Sequence, residues 1–152
     1  MKKHFAIVIV TIITLLALTG VCSAQSCTPS AGPLVRSDNN IRLSFDKSLS
    51  GFGTWEGTIG GDIAGKLKTV MQSYVVNGDI ARVEFDFIVD AGSSSFTMRL
   101  IGLLNPRTGK VYMDGFVSEG LNQGLRVEEE GSLVDPATFR FIGTILLKRP
   151  CR

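Results

Sequence analysis

The segment Ile80–Val89, "IARVEFDFIV", decides the fold class of this 152-residue chain. Apolar and charged side chains alternate along it. The apolar ones are Ala81, Val83, Phe85, Phe87 and Val89. The charged ones are Arg82, Glu84 and Asp86. Because successive side chains of a strand point to opposite faces, this pattern predicts a β-strand with one buried face.

The same alternation recurs in segments 41–46, 95–104 and 139–147. Runs rich in turn-forming residues separate the alternating segments at hairpin distance, at Asp90–Ser94, Asn105–Lys110 and Asp135–Thr138. Extending the pattern predicts eight strands, at 41–46, 54–59, 66–76, 80–89, 94–104, 110–118, 123–130 and 139–147. Glycines inside these strands predict bends where the sheet curls tightly, at Gly57, Gly102, Gly115 and Gly143.

Eight short strands joined mainly by hairpins favour an all-β fold, a single closed antiparallel barrel with little or no helix. Closure removes the exposed sheet edges that invite aggregation. A sandwich of two sheets is the alternative. The expected organisation is a signal peptide at 1–24, an irregular lead-in at 25–40 and a barrel domain at 41–152.

The N-terminus has the pattern of a secretory signal peptide. Lys2 and Lys3 precede a continuous apolar run, Phe5–Leu18, and small residues allow cleavage after Ala24. We therefore expect a secreted or periplasmic protein. The alternative is an uncleaved anchor, which is the one route to a membrane that the sequence offers, but the run is short for a bilayer span of about 20 residues.

Removal of this segment changes the chemistry available to the chain. His4 is the only histidine, so the mature protein has none, and this excludes a Ser-His-Asp triad, a His-activated cysteine and a His-based zinc site. Without Lys2 and Lys3 the 16 basic residues become 14, which balance the 14 acidic ones. We predict no metal site, no cofactor and no nucleic-acid partner, since nucleic-acid surfaces need clustered Lys and Arg.

The stretch Gly60–Leu67, "GGDIAGKL", matches a phosphate-binding loop at all but its last position. Leu67 stands where a Ser or Thr hydroxyl would bind magnesium. The strand that follows, at 80–89, alternates polar and apolar residues, whereas the strands of nucleotide-binding folds are apolar on both faces. We interpret the stretch as a glycine-rich connection between strands and predict no nucleotide partner.

Cys27 and Cys151 are the cysteines that survive removal of the signal, and we predict that they form a disulfide. Such a bond would close nearly the whole mature chain, which chain-entropy models value at about 4–5 kcal/mol of stability. Thiol titration of the denatured, unreduced protein is expected to find essentially no free thiol. Two free thiols per chain would contradict the pairing.

Three longer stretches suggest a family. They are "GTWEGTIGGDIAGKL" (Gly53–Leu67), "FDFIVDAGSSSFTMRLIGLLNPRTGKVYMDGFVSEG" (Phe85–Gly120) and "EEEGSLVDPATFRFIGTI" (Glu128–Ile145). From Gly53 to about Leu146 the chain resembles the bacterial allene oxide cyclase barrel-like proteins. The resemblance implies an eight-stranded antiparallel barrel with a lumen, in which the plant cyclases cyclise an unstable fatty-acid epoxide. No motif carries their binding or catalytic residues onto this chain. The triplet Gly53-Thr54-Trp55 is also similar to the Gly-x-Trp of lipocalins, which are ligand-holding barrels.

Candidate functional residues follow from the predicted strand faces. A ligand in the lumen is expected to contact the inward residues Phe85, Phe87, Phe96, Met98 and Phe141. Asp114 and Tyr112 are catalytic candidates. If the face of Tyr112 and Phe116 lines the lumen, Asp114 is a partly desolvated carboxylate that can act as a general acid or anchor a polar ligand head. The alternative is that this face points outward. Glu128–Glu130 is interpreted as a solvated edge.

Three functions remain open at this point. The first is a secreted binding module that holds a small apolar molecule in its lumen. The second is a cofactor-independent cyclase or isomerase that binds a reactive conformer, with Asp114 or Tyr112 positioned against it. The third is a structural or interaction protein whose barrel is filled by its own side chains. An apolar cavity would favour the first two functions over the third.

Overall fold

A computed structural model describes residues 40–149, which form a closed antiparallel β-barrel of eight strands. The strands are β1 Ile41–Gly51, β2 Thr54–Gly61, β3 Gly65–Asn77, β4 Ile80–Asp90, β5 Phe96–Asn105, β6 Lys110–Gly120, β7 Arg126–Asp135 and β8 Arg140–Lys148. Each strand pairs with the next in the chain, and β1 pairs with β8 to close the barrel. The predicted fold class is confirmed, and the sandwich alternative is wrong.

Helix within residues 40–149 is limited to one 3₁₀ turn, Gly92–Ser94. No helix of this part of the chain is long and apolar enough to cross a membrane. The predicted signal peptide, most of the lead-in and both Cys27 and Cys151 lie outside the described residues. Their cleavage and pairing stay predictions.

The stretch Gly60–Leu67 forms the β2–β3 hairpin, as the sequence predicts. The Asp62 carboxylate in its turn accepts a hydrogen bond from the backbone N–H of Arg42 at 2.8 Å. Leu67 is buried in the lumen, and the chain continues from it as strand β3. A phosphate-binding loop would instead open a helix at this point.

The apolar half of each alternating pattern lies on the inner face of the barrel. One end of the lumen, beside the β2–β3, β4–β5 and β6–β7 connections, is filled by buried side chains. These include Phe96, Met98, Val117, Val127 and Leu147. The filled end supplies much of the hydrophobic stabilisation, at about 25 cal/mol per Å² of apolar surface removed from water.

Glycine residues on the inner face let neighbouring strands approach closely. A Cβ at Gly143 would lie 2.2 Å from the carbonyl oxygen of Glu130 and 2.6 Å from Cζ of Phe45. Gly57, Gly102 and Gly115 would likewise place a Cβ within 1.9 to 2.0 Å of a carbonyl oxygen on the adjacent strand. A side chain at any of these positions would therefore collide with the neighbouring strand, and Gly143 also leaves room for the Phe45 ring.

Strands β1 and β7 extend furthest beyond their predicted ends, by five residues each. The sequence predicts that β1 ends at 46 and β7 at 130, whereas they end at Gly51 and Asp135. The residues after Asp46 are mostly polar, so the alternation of apolar and polar residues does not show that β1 continues. The strand continues because its backbone pairs on both sides, so that Lys47 lies opposite Gly57 of β2 and Phe141 of β8. This extension carries Lys47 onto the inner face.

Candidate functional site

The barrel opens at one end into an apolar cavity of about 300 Å³, called here the end cavity. This end carries the β1–β2, β3–β4, β5–β6 and β7–β8 hairpins. The walls include Trp55, Met71, Tyr74, Phe85, Leu104 and Phe141. The volume lies at the lower end of the range of small-molecule sites, and it is about twice that of an engineered 150 Å³ cavity that binds benzene.

Trp55 and Phe139 fix one side of the mouth. The indole Nε1 of Trp55 donates a hydrogen bond to the carbonyl oxygen of Phe139 at 3.1 Å. The Trp55 ring also meets the edge of Phe85 at 5.5 Å between centroids. Phe139 has a φ of 46°, a left-handed conformation that aromatic residues rarely adopt. These contacts hold an apolar wall in place without a ligand, and strained backbone of this kind concentrates at functional sites.

Lys47 forms the floor of the end cavity and is 5% exposed. Its Nζ lies 3.9 Å from the ring centroid of Phe87, 5.0 Å from that of Phe45 and 5.5 Å from that of Phe85. The ammonium donates one long hydrogen bond, of 3.4 Å, to Oγ1 of the buried Thr69. Each cation–ring contact is worth roughly 0.5–2 kcal/mol. These contacts therefore offset part of the cost of removing the charge from water.

Glu129 is a second buried charge, and it lies deeper in the lumen on β7. Its side chain is 3% exposed, and neither carboxylate oxygen has a hydrogen-bond partner within the described residues. Gly131 makes room for it, since a Cβ there would lie 2.8 Å from Oε1 of Glu129. Strand β8 separates β7 from β1. Lys47 and Glu129 thus share the lumen without hydrogen-bonding each other.

Burial moves both pKa values toward neutrality. It lowers the pKa of Lys47 from 10.5 to about 8, and the charge of Glu129 partly opposes this change. Burial raises the pKa of Glu129 from 4.5 to about 7, while Lys47 opposes the rise and the charge of Glu130 adds to it. Two groups with pKa values of about 7 and about 8 inside an apolar lumen can hold a polar ligand group or exchange a proton with it.

The five predicted ligand-contacting residues all lie on the inner face, but at different depths. Phe85 and Phe141 line the end cavity. Phe87 lies beneath it, under the ammonium of Lys47. Phe96 and Met98 are buried in the filled end. Their ligand-binding role stays a prediction, and the geometry leaves Phe85 and Phe141 as the two in reach of the cavity.

Tyr112 and Asp114 lie on the outer face of β6. Tyr112 is 55% exposed and Asp114 is also exposed, while Met113 and Val117 occupy inner positions. Of the two possibilities that the sequence left open, the structure shows the outward one, and Asp114 is exposed rather than desolvated in the lumen. The interior of an eight-stranded barrel is just wide enough to be filled by side chains, and Met113 and Val117 occupy the share of it that belongs to β6.

Sequence reasoning missed Lys47 and Glu129. The signal for Lys47 was the alternation that places Leu43 and Phe45 inside, continued by one more step. For Glu129 the signal was the same alternation from Val127. The interpretation of Glu128–Glu130 as a solvated edge is wrong for its central residue. Within residues 40–149 there is no group of three or more metal-binding side chains that could hold an ion.

Fold and site together define a class of protein, a small antiparallel β-barrel with an apolar end cavity and a buried Lys–Glu pair. Comparison of the chain with family models, with curated proteins and with solved structures finds no match. The resemblance to the allene oxide cyclase barrel-like proteins stays a prediction.

Proposed function

We propose that this protein is a secreted binding module that holds a small, largely apolar molecule in the end cavity. The observation that carries the proposal is the cavity itself, about 300 Å³ of space with apolar walls. Concave apolar sites with a few polar groups are the usual form of small-molecule sites. Trp55 and Phe85 build the wall, and Lys47 is the polar group at its floor.

The distribution of packing favours binding over a filled structural barrel. Phe96 and Met98 close the lumen at one end, where they are fully packed. At the other end Phe139 is 49% exposed and Tyr74 is 47% exposed, and both face the cavity mouth. A barrel selected for packing alone would gain stability by filling this space, since each cavity costs contacts and transfer energy.

A cofactor-independent isomerase or cyclase is the second candidate function. The observation that favours it is Lys47, a buried amine at the floor of the end cavity whose pKa is lowered to about 8. A group that titrates near the working pH is suited to general acid–base catalysis. Catalytic turnover of a bound compound would distinguish this function from simple binding.

Filling the cavity tests the binding function. The neutral fluorescent dye N-phenyl-1-naphthylamine is expected to bind the wild-type protein. Leu104→Trp, which places a large ring in the cavity, should weaken dye affinity by about tenfold or more. Leu104 lines the cavity, whereas the adjacent Leu103 is 54% exposed on the outer face. Leu103→Trp is therefore the matched control and should bind the dye as the wild type does.

The two variants separate the outcomes cleanly. Dye binding that is equally strong in both would place the dye elsewhere on the molecule. A wild-type protein that binds no dye, together with a Leu104→Trp variant destabilised by about 1–3 kcal/mol through overpacking, would show a filled barrel. Either result would overturn the proposed function.

A further inference from the structure

We propose that the end cavity takes a small amphiphile with one acidic head, and that this head binds the ammonium of Lys47 while the apolar body lies against Trp55, Phe85 and Phe141. This inference rests on the proposed binding function and adds the chemical class of the ligand and its orientation, with the head directed inward.

Lys47 leaves hydrogen-bond donors unused within the described residues. An ammonium carries three N–H donors. The described residues supply it with one acceptor, Oγ1 of Thr69, at the long distance of 3.4 Å. Its other close neighbours are the faces of Phe87, Phe45 and Phe85. These faces attract a cation, but they do not replace oxygen acceptors. A ligand oxygen that reaches Nζ therefore gains charge-assisted hydrogen bonds in a site of low dielectric.

The end cavity changes in polarity along its axis, from a charged floor to apolar walls. The walls above Lys47 are formed by aromatic and aliphatic side chains such as Trp55, Phe85 and Leu104. A ligand that is apolar throughout would leave two of the three N–H donors of Lys47 without an oxygen acceptor among the described residues, which is costly in an apolar site. A ligand with an acidic group at one end can bind the ammonium at the floor with that group and pack its apolar body against the walls. Its head must point inward, because the mouth is apolar at Phe139 and Leu133.

Glu129 is the charge that such a head would meet from β7, two strands away from Lys47 around the barrel. Its carboxylate does not hydrogen-bond Lys47, so it occupies none of the donors of that residue. Burial has already raised the pKa of Glu129 to about 7, so a second negative charge near Lys47 will raise it further and a proton will be taken up on binding. Glu130 on the outer face and Tyr74 at the mouth are the other titratable groups beside this part of the lumen.

The volume limits the size of the ligand body. At about 300 Å³ the end cavity is about twice the size of the engineered cavity that encloses benzene. It therefore suits one aromatic ring with a short chain, or an aliphatic chain of similar bulk. A long hydrocarbon chain would extend past the mouth.

A matched pair of competitors tests the acidic head. The compounds 4-phenylbutanoate and 4-phenylbutan-1-ol share an apolar body and differ in the head group. Against bound N-phenyl-1-naphthylamine at neutral pH, we expect the carboxylate to compete about tenfold more strongly than the alcohol. Lys47→Met keeps an unbranched side chain without the charge, and it should remove this preference. Lys68→Met is the control, because Lys68 is an exposed residue on the outer face of β3.

The outcomes separate this inference from the function on which it rests. Equal competition by both compounds, or a preference for the carboxylate that survives in Lys47→Met, would overturn the proposal that the ligand has an acidic head. Dye binding by the wild type would in that case still support the proposed binding function. Absence of dye binding in the wild type overturns both. If Lys47→Met does not fold, the wild type supplies the same test through pH. The preference for the carboxylate should then fall as the pH rises from about 6 to about 9, since Glu129 becomes charged and Lys47 neutral. A preference that does not change with pH overturns the inference.

Discussion

Phe87→Ala is expected to lower the free energy of unfolding by about 3–5 kcal/mol, which is the cost of deleting a fully packed aromatic ring. Phe87 is completely buried. Its ring meets the edges of Phe45 and Phe85, each at 6.3 Å between centroids, and it lies under the ammonium of Lys47. Removing the ring therefore leaves a void at the base of the end cavity and takes away the closest cation–ring contact.

Phe141→Ala is the matched comparison and should cost clearly less, about 1–2 kcal/mol. Phe141 borders the end cavity, so part of its ring already lacks packed neighbours. Phe96→Ala, in the filled end, should resemble Phe87→Ala because Phe96 is 3% exposed. Urea unfolding followed by the fluorescence of Trp55, the single tryptophan, measures all three. If all three variants lost about 3–5 kcal/mol of unfolding free energy, no open cavity would exist beside Phe141.

Replacing both buried charges by Met, at Lys47 and Glu129 together, is expected to raise the free energy of unfolding by about 1–4 kcal/mol near pH 7.5. Two charges in an apolar lumen pay for desolvation, and here no direct hydrogen bond between them compensates. Met fills irregular space with an unbranched chain, so the double variant should pack without strain. Lys47→Met alone should destabilise the protein, because Glu129 then stays buried without its partner.

The pH dependence of stability follows from the two pKa shifts. The raised pKa of Glu129 means that its stabilising contribution is complete below pH 4.5 and is lost as the pH rises toward 7. The lowered pKa of Lys47 means that its contribution is present above pH 10.5 and is lost as the pH falls through about 8. The pair therefore produces a minimum of stability between about pH 7 and 8.

Urea unfolding of the wild type and the double variant across pH 4.5 to 10.5 checks this profile. The difference in unfolding free energy between them should be largest near pH 7.5 and shrink toward both ends. Asp46 and Asp135 have lowered pKa values, so they reduce stability only as the pH falls below 3.8, outside this window. A difference that is constant across the window, or a double variant less stable than the wild type near neutral pH, would contradict the cost assigned to the pair.

The same double variant is expected to lose the preference for a carboxylate ligand. If the protein gains stability as it loses that preference, the buried pair is a functional feature kept at the expense of stability. Such trade-offs are common at binding and catalytic sites.

Strand faces were predictable where one face is apolar and the other charged. In β4 the alternation placed Phe85 and Phe87 inside, and the structure agrees. In β6 both faces carry apolar side chains, since Tyr112 and Phe116 alternate with Met113 and Val117. Alternation alone could not orient such a strand. The volume of the closed lumen determines which face of β6 points inward, because the lumen accommodates Met113 and Val117 beside the side chains of the other strands.

The sequence by itself determined the local properties of this protein. Residue alternation defined the strands and turn chemistry defined the hairpins, because each depends on neighbours along the chain. Only the tertiary structure decided the site. Lys47 and Glu129 come from strands separated by β8, and they share a lumen because β1 pairs with β8. Burial inside that closed barrel, which no local pattern contains, moves their pKa values toward neutrality and leaves an apolar cavity above Lys47.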